Sequence, residues 1–260
     1  MAETHKEKVE RFINFNRDRI NSAFSDFNLN EQSVNAKILL CSIIDSLAKS
    51  RFPKISSNGE RFKRTIQTSA KWNDCERISL LHLKRALQVS HNDNRDFKSL
   101  SDWVDSTVNI CFNIDNKTLS TEIAISNDPE PKNVLKLWPH DKNNSPIKLG
   151  SIHWNQLTHK NLFWLYRNSL MHEYRIPGRA IELNVTKVEP FYQKVYQIED
   201  YCPDEGVSFT HRWELLYPSG FFRVVAENIL EDVAKYHKTE GTSPFKDYSD
   251  GTFWIPNFND

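Results

Sequence analysis

Glycine is scarce in this chain, with seven residues in 260. None of them falls in a G-x-G-x-x-G, G-x-x-x-x-G-K-[ST] or G-x-S-x-G pattern. A dinucleotide-binding turn, a phosphate-cradling loop and a hydrolase nucleophile elbow therefore have no motif here. Cysteine is equally thin. The four residues Cys41, Cys75, Cys111 and Cys202 are far apart and form no C-x-x-C. Free thiols are expected, buried where Cys41 and Cys111 sit in apolar stretches, rather than disulfides or zinc ligands. The nine histidines include no H-x-x-x-H pair with a helical carboxylate, so neither a catalytic metal nor a cofactor is expected. No apolar run approaches the roughly 20 residues of a membrane span. The first residues are charged and lack a secretory apolar core. A cytoplasmic chain with no membrane partner is the expectation. Net charge is missing too: 34 basic and 34 acidic residues cancel. A broad basic surface for duplex nucleic acid is not expected, but cancellation over a whole chain can hide a local basic cleft.

Aromatic residues are plentiful, with seven Trp and 16 Phe. That composition argues for a packed core and against disorder. Apolar positions recur at helical spacing through 4–26, through Glu31–Arg51, where Ile38–Ile44 is apolar on most sides, and through Asn58–Trp72, with Asn58 as a possible cap. Ser79–Val89 and Asp96–Phe112 read as two further helices. Residues 114–157 change character, rich in Asn, Asp, Lys and Pro, and read as an inserted loop region with one short helix near Asn133–Leu137. Thr158–Tyr174 is helical and Pro177-Gly178 stops it. The period then changes to two: Ala180–Val188, Phe191–Ile198 and Arg212–Tyr217 read as strands. Pro218-Ser219-Gly220 reads as a turn, and Phe221–Lys238 as a last helix. The expected architecture is mainly α in one composite domain. It has core helices in 1–113, the insertion in 114–157, a motif helix, small β element and final helix in 158–240, and an irregular tail in 241–260.

The segment Arg167-Asn168-Ser169-Leu170-Met171-His172-Glu173-Tyr174 stands out chemically. Arginine stays charged and forks onto phosphate oxygens. Histidine exchanges a proton near neutral pH. Arg-x-x-x-x-His is weak as a bare pattern. It recurs at Arg77/His82, the similar Arg85/His91 lies close by, and chance alone gives on the order of one or two matches. Context separates them. Only Arg167 is followed by a polar residue, follows an aromatic run (Leu162–Tyr166) and is followed by a tyrosine two positions past its histidine. Asn168 lies four residues before His172, nearly on the same helix face, where it could orient the imidazole or a ribose. Asp45, after the apolar run of the second helix, needs a partner. Arg167 and Lys49 are the two candidates. Arg51 could add positive charge at the same end. Ordinary structural roles compete: a salt bridge for Arg167, a helix C-terminal histidine for His172, packing for Tyr174. His153 and His159 read as cap and loop histidines, and Trp154, Trp164 and Trp213 as core.

On these residues the chain resembles the HEPN superfamily, the all-helical "higher eukaryotes and prokaryotes nucleotide-binding" domains. The resemblance rests on Arg167, the polar Asn168 and His172 late in a helix. Tyr174 gives it the Arg-x4-His-x-Tyr form of HEPN toxins paired with nucleotidyltransferase antitoxins. It implies a HEPN-like helical bundle and a metal-independent endoribonuclease that cleaves single-stranded RNA by 2′-hydroxyl attack. Arg167, His172 and Asn168 would be catalytic, supported by Asp45 and Tyr174. It also implies a toxin or phage-defence role and an antitoxin or regulatory partner. At about 100° per residue, Arg167 and His172 lie roughly 140° apart on one helix. The twofold dimer of the HEPN fold would close such a site from two copies. Two other classes stay open: a catalytically silent RNA- or nucleotide-binding module, and a helical interaction protein.

Overall fold

Apolar side chains at spacings of three and four residues build most of the chain. In the computed structural model, residues 3–25, 31–90, 96–112, 122–178, 182, 186–202 and 206–246 are described. The helices are α1 (His5–Ser25), α2 (Glu31–Arg51), α3 (Asn58–Ser69), α4 (Leu80–Val89), α5 (Lys98–Phe112), the short α6 (Pro131–Leu135), α7 (His159–Glu173) and α8 (Ser219–Glu240). The strands are β1 (Glu122–Ala124), β2 (Phe191–Cys202) and β3 (Gly206–Leu216), in one antiparallel sheet of order β1-β2-β3. The fold is mainly α with a small sheet. No helix of the described residues is long and apolar enough to cross a membrane.

Local chemistry sets the helix ends. Ser57, not Asn58, caps α3, its hydroxyl accepting from the Glu60 N–H. Serine matches Asn in capping strength and sits one residue earlier, so the helix starts there. Ser79 caps α4 in the same way. Ser219 and Gly220 are not a turn but the first residues of α8, with Pro218 at the cap. Glu182 decides this: its buried carboxylate accepts from the Ser219 N–H at 2.6 Å and the Ser219 hydroxyl at 3.0 Å.

Two cores result. The first is a bundle of α1, α2, α3, α7 and α8, with α2 inside it, as its apolar girth requires. Leu40, Ile44, Phe62, Phe163, Phe222 and Ile229 are fully buried there. The second core joins α4 and α5 to the sheet and to 122–157. The polar composition of that segment suggests a loop, yet Ile123, Val134, Trp138 and Leu149 are buried, and Trp138 donates to the Ile147 carbonyl at 2.8 Å. Its strand β1 extends the sheet from Ile123 opposite Tyr192, an element the sequence pattern does not announce. Trp72 and Leu215 pack against both cores.

The strand expected over Ala180–Val188 lies largely outside the described residues; residues 182 and 186–188 are not in a strand. Within the expected tail, Phe245 packs against the first core, and 247–260 lie outside the described residues. Cys41 and Cys75 are buried and Cys111 half-buried, all as free thiols. The Cys202 side chain is outside the described set.

Candidate functional site

α7 is laid down across α2 and α3, and its aromatic half anchors it. Phe163 touches the rings of Phe62, Trp72, Tyr217, Phe221 and Phe222 at centroid separations of 4.9 to 5.9 Å. Trp164 lies over Gly59 of α3; a Cβ there would stand 3.1 Å from the indole, a tight contact that glycine avoids. Leu162 and Tyr166 are buried, but Leu165 is 56% exposed and leaves the core that its place in the aromatic run suggests.

Arg167, one turn after Trp164, turns toward α2. Its Nε donates to Asp45 Oδ2 at 3.1 Å, its Nη2 donates to the same oxygen, and its Nη1 donates to Asn168 Oδ1 at 3.1 Å. The guanidinium carbon lies 4.9 Å from the Trp164 ring centroid, within cation–π range. The Arg167 side chain is 11% exposed and that of Asp45 28%. Burial lifts the Asp45 carboxyl above its ordinary range, against the hydrogen bond and charge of Arg167 and the charge of Arg61, which pull it down. Asp45 thus pairs with Arg167 and not with Lys49. Arg51 is turned elsewhere: its Nε reaches Asp232 of α8 at 3.4 Å and its guanidinium stacks on Tyr236.

His172 is exposed on the last turn of α7, with no polar partner among the described residues. No hydrogen bond joins it to Arg167. Five residues apart on α7, the two groups diverge by roughly 140° around the helix axis. Tyr174 ends α7 in the left-handed conformation (φ 54°, ψ 35°), ahead of Pro177-Gly178, and its hydroxyl donates to Asn35 Oδ1.

Sequence reasoning missed two buried polar sets. Lys37, one turn before Cys41 and two before Asp45 on α2, is fully buried and pairs with Glu182 at 2.8 Å. Its Nζ reaches the Tyr166 hydroxyl at 3.4 Å. Burial lowers the ammonium's pKa, opposed by the Glu182 charge. A lone lysine within an apolar stretch was the available signal. Burial, with the Asp45 charge behind it, pushes the Cys41 thiol up, so this cysteine is not a thiolate nucleophile. The second set links Ser79, His82, Asp128, His159 and Tyr192. His159 is not a loop histidine but the buried first residue of α7, 2.7 Å from Asp128 through Nε2. His153 does cap a short helical turn, its N–H donating to Gln156 Oε1 at 2.7 Å. Arg77 is held by Asp74 and the Asp128 carbonyl, each at 2.7 Å, and His91 lies outside the described residues. Among the described residues no group of three or more His, Cys, Asp or Glu is placed to hold a metal ion.

No protein-family model, curated protein or solved structure matches this chain.

Proposed function

We propose that the chain is a metal-independent endoribonuclease of HEPN type that cleaves single-stranded RNA. The observation that carries the reading is the Asp45–Arg167–Asn168 set, with an exposed histidine on the same helix. Asp45 and Asn168 engage three of the five guanidinium N–H groups and fix the plane of the fork; two remain for phosphate oxygens. In this mechanism the ribose 2′-hydroxyl attacks the adjacent phosphorus and the 5′-oxygen leaves. Arg167 offsets the charge on the pentacoordinate phosphate, and His172 takes the 2′-hydroxyl proton and returns it to the departing 5′-oxygen. The products are a 2′,3′-cyclic phosphate and a 5′-hydroxyl. Arg167 and His172 diverge on one helix, so the working form is a homodimer with the two α7 helices facing across the twofold axis. Leu39 and Tyr174, 53% and 66% exposed, supply apolar surface beside that end of α7. Toxin or phage-defence action, an RNA partner and an antitoxin-like regulator belong to the same proposal.

One observation favours a second reading, binding without cleavage: the Arg167 guanidinium is largely enclosed by Asp45 and Trp164. Incubating the full chain with mixed-sequence single-stranded RNA in EDTA, followed by end-group analysis, separates the two. Cyclic-phosphate ends that disappear in Arg167→Ala and His172→Ala support the nuclease. A requirement for Mg²⁺, or 5′-phosphate ends, refutes it. Retained binding with no cleavage leaves the second reading.

A further inference from the structure

A large cleft among the described residues does not contain Arg167 or His172. It has a volume of about 670 Å³ and lies between α4, α7 and the edge strand β3. That is the size of a small-molecule site. α7 contributes Leu162, Leu165, Tyr166 and Ser169, a face spaced i, i+3, i+4, i+7 that points away from Arg167. Lys84 and Arg85 of α4 and Arg212 of β3 stand against one acid, Glu214. A neutral chain thus carries a locally basic cleft. Lys84 is shared with Asp105 at 3.0 Å and Arg212 pairs with Glu214. Arg85 is exposed and has no ion-pair partner among the described residues. Trp213 and Leu81 add apolar wall, with Trp213 braced edge-on by Phe112 at 5.5 Å. Gly178 closes one end: a Cβ there would stand 2.4 Å from Glu214 Oε2, and its φ of +85° suits glycine.

His82 gives the wall a direction. The Asp128 carboxylate accepts from the Leu80 N–H at 3.0 Å, from His159 and from the Tyr192 hydroxyl. Tyr192 has given its proton to Asp128, so its oxygen accepts from Ser79 at 2.7 Å. Ser79 has then given its own proton, so its oxygen accepts from the His82 N–H and from His82 Nδ1 at 2.8 Å. The proton of the neutral imidazole is therefore on Nδ1, and Nε2 is a bare acceptor on a residue that lines the cleft. Burial, with His159 nearby, pushes this imidazole down to about 4, so it stays neutral at physiological pH.

We propose that this cleft is a nucleotide-binding site, in which Arg85, Lys84 and Arg212 hold the phosphate, Trp213 and the leucines face the base, and His82 Nε2 accepts from an exocyclic amino group of the base. Adenine, cytosine and guanine carry such a group and uracil does not. The bound unit is a free nucleotide or one nucleotide of an RNA strand. The inference does not depend on the cleavage reading.

Calorimetric titration of the full chain tests it, with AMP, CMP, GMP and UMP in one arm and mixed-sequence RNA hexamers in the other. The expected result is binding of the three amino-bearing nucleotides at least about tenfold tighter than UMP, the worth of one good hydrogen bond. Arg85→Glu, at an exposed position, weakens binding at least about tenfold with an unchanged melting temperature. His82→Phe removes the discrimination against UMP. Binding of hexamers alone, weakened by Arg85→Glu, assigns the cleft to an RNA strand. No binding in either arm, equal affinity for UMP, or unchanged affinity in Arg85→Glu overturns the proposal. Cleavage is scored separately in EDTA. Nucleotide binding without cleavage sinks the nuclease reading alone, and cleavage without nucleotide binding sinks only this one.

Discussion

At Arg167 the guanidinium is oriented by two acceptors while His172 stands free in solvent, and the two residues answer differently to substitution. His172→Ala is expected to lower cleavage of single-stranded RNA at least about 10²-fold with folding intact, as for a lost acid–base group. Arg167→Ala should do the same and also weaken RNA binding. Single-turnover rates in EDTA and filter binding measure both, and unchanged rates in both variants sink the assignment. Asp45→Asn keeps an acceptor but removes the charge. The Asp45 carboxyl is lifted by burial, so its ionised form is not cheaply held and the fold should tolerate the amide within about 1 kcal/mol. Arg167 then loses its counter-charge, and cleavage is expected to fall about tenfold with little change in melting temperature. A rate equal to wild type would remove Asp45 as a positioning residue. The identity and spacing of these groups were legible in the chain; that Asp45 meets Arg167 and not Lys49 was not. Lys49 is exposed one turn past Asp45, and the packing of α7 on α2 is what brings the Arg167 guanidinium onto the carboxylate.

Helices were legible nearly to the residue, those with an apolar stripe from its period and α2 from a long apolar run with no breaker before Pro53, because neither signal needs a partner to be seen. Alternation also announced β2 and the second half of β3, but β1 was not legible. β1 is a three-residue strand whose only reason to be extended is β2 beside it, and its apolar content is a single inward Ile123. The start of α8 depended on Glu182, more than thirty residues earlier. Within α7, Phe163 is the hinge of the packing, touching rings from α3 and α8 and from Trp72 and Tyr217. Phe163→Ala is expected to cost about 3–5 kcal/mol, the usual range for a fully buried aromatic. Urea unfolding reads this as a lower midpoint at constant slope. A loss under about 1 kcal/mol would mean that α7 is not pinned by this ring.

For the whole molecule, stability should depend on pH through the half-buried His82. Its imidazole sits at about 4 in the fold against an ordinary 6.5. Between those values the unfolded chain holds a proton that the native chain does not, so stability is full above the upper value and is lost as pH falls toward the lower one. Asp128 favours the charged ring and His159 opposes it; Lys84 and Arg85 on the same helix and Arg212 on β3 add to the opposition, with Glu214 against them. Moving from about pH 7 to about pH 5 should cost the wild type on the order of 1–2 kcal/mol more than His82→Phe. Equal losses in urea titrations would remove His82 as the source. Assembly is the other property at this scale. An Arg167→Ala chain mixed with a His172→Ala chain is expected to regain cleavage, because mixed dimers hold one intact centre if each centre draws its Arg and His from different chains. Mixing that restores nothing, or a monomer by light scattering with full activity, refutes the composite centre.

The sequence by itself determined the mainly helical class, most helix bounds and the chemistry that Arg167, Asn168 and His172 bring, because periodicity and residue type are local properties. Only the tertiary structure decided that Arg167 turns to Asp45, that residues 122–157 carry part of a second core, and that His82, Arg85 and Trp213 come together around a cleft. Those three outcomes depend on contacts between residues far apart in the chain. Such contacts form only when whole helix faces are buried against one another, and no local pattern of residues encodes which faces meet.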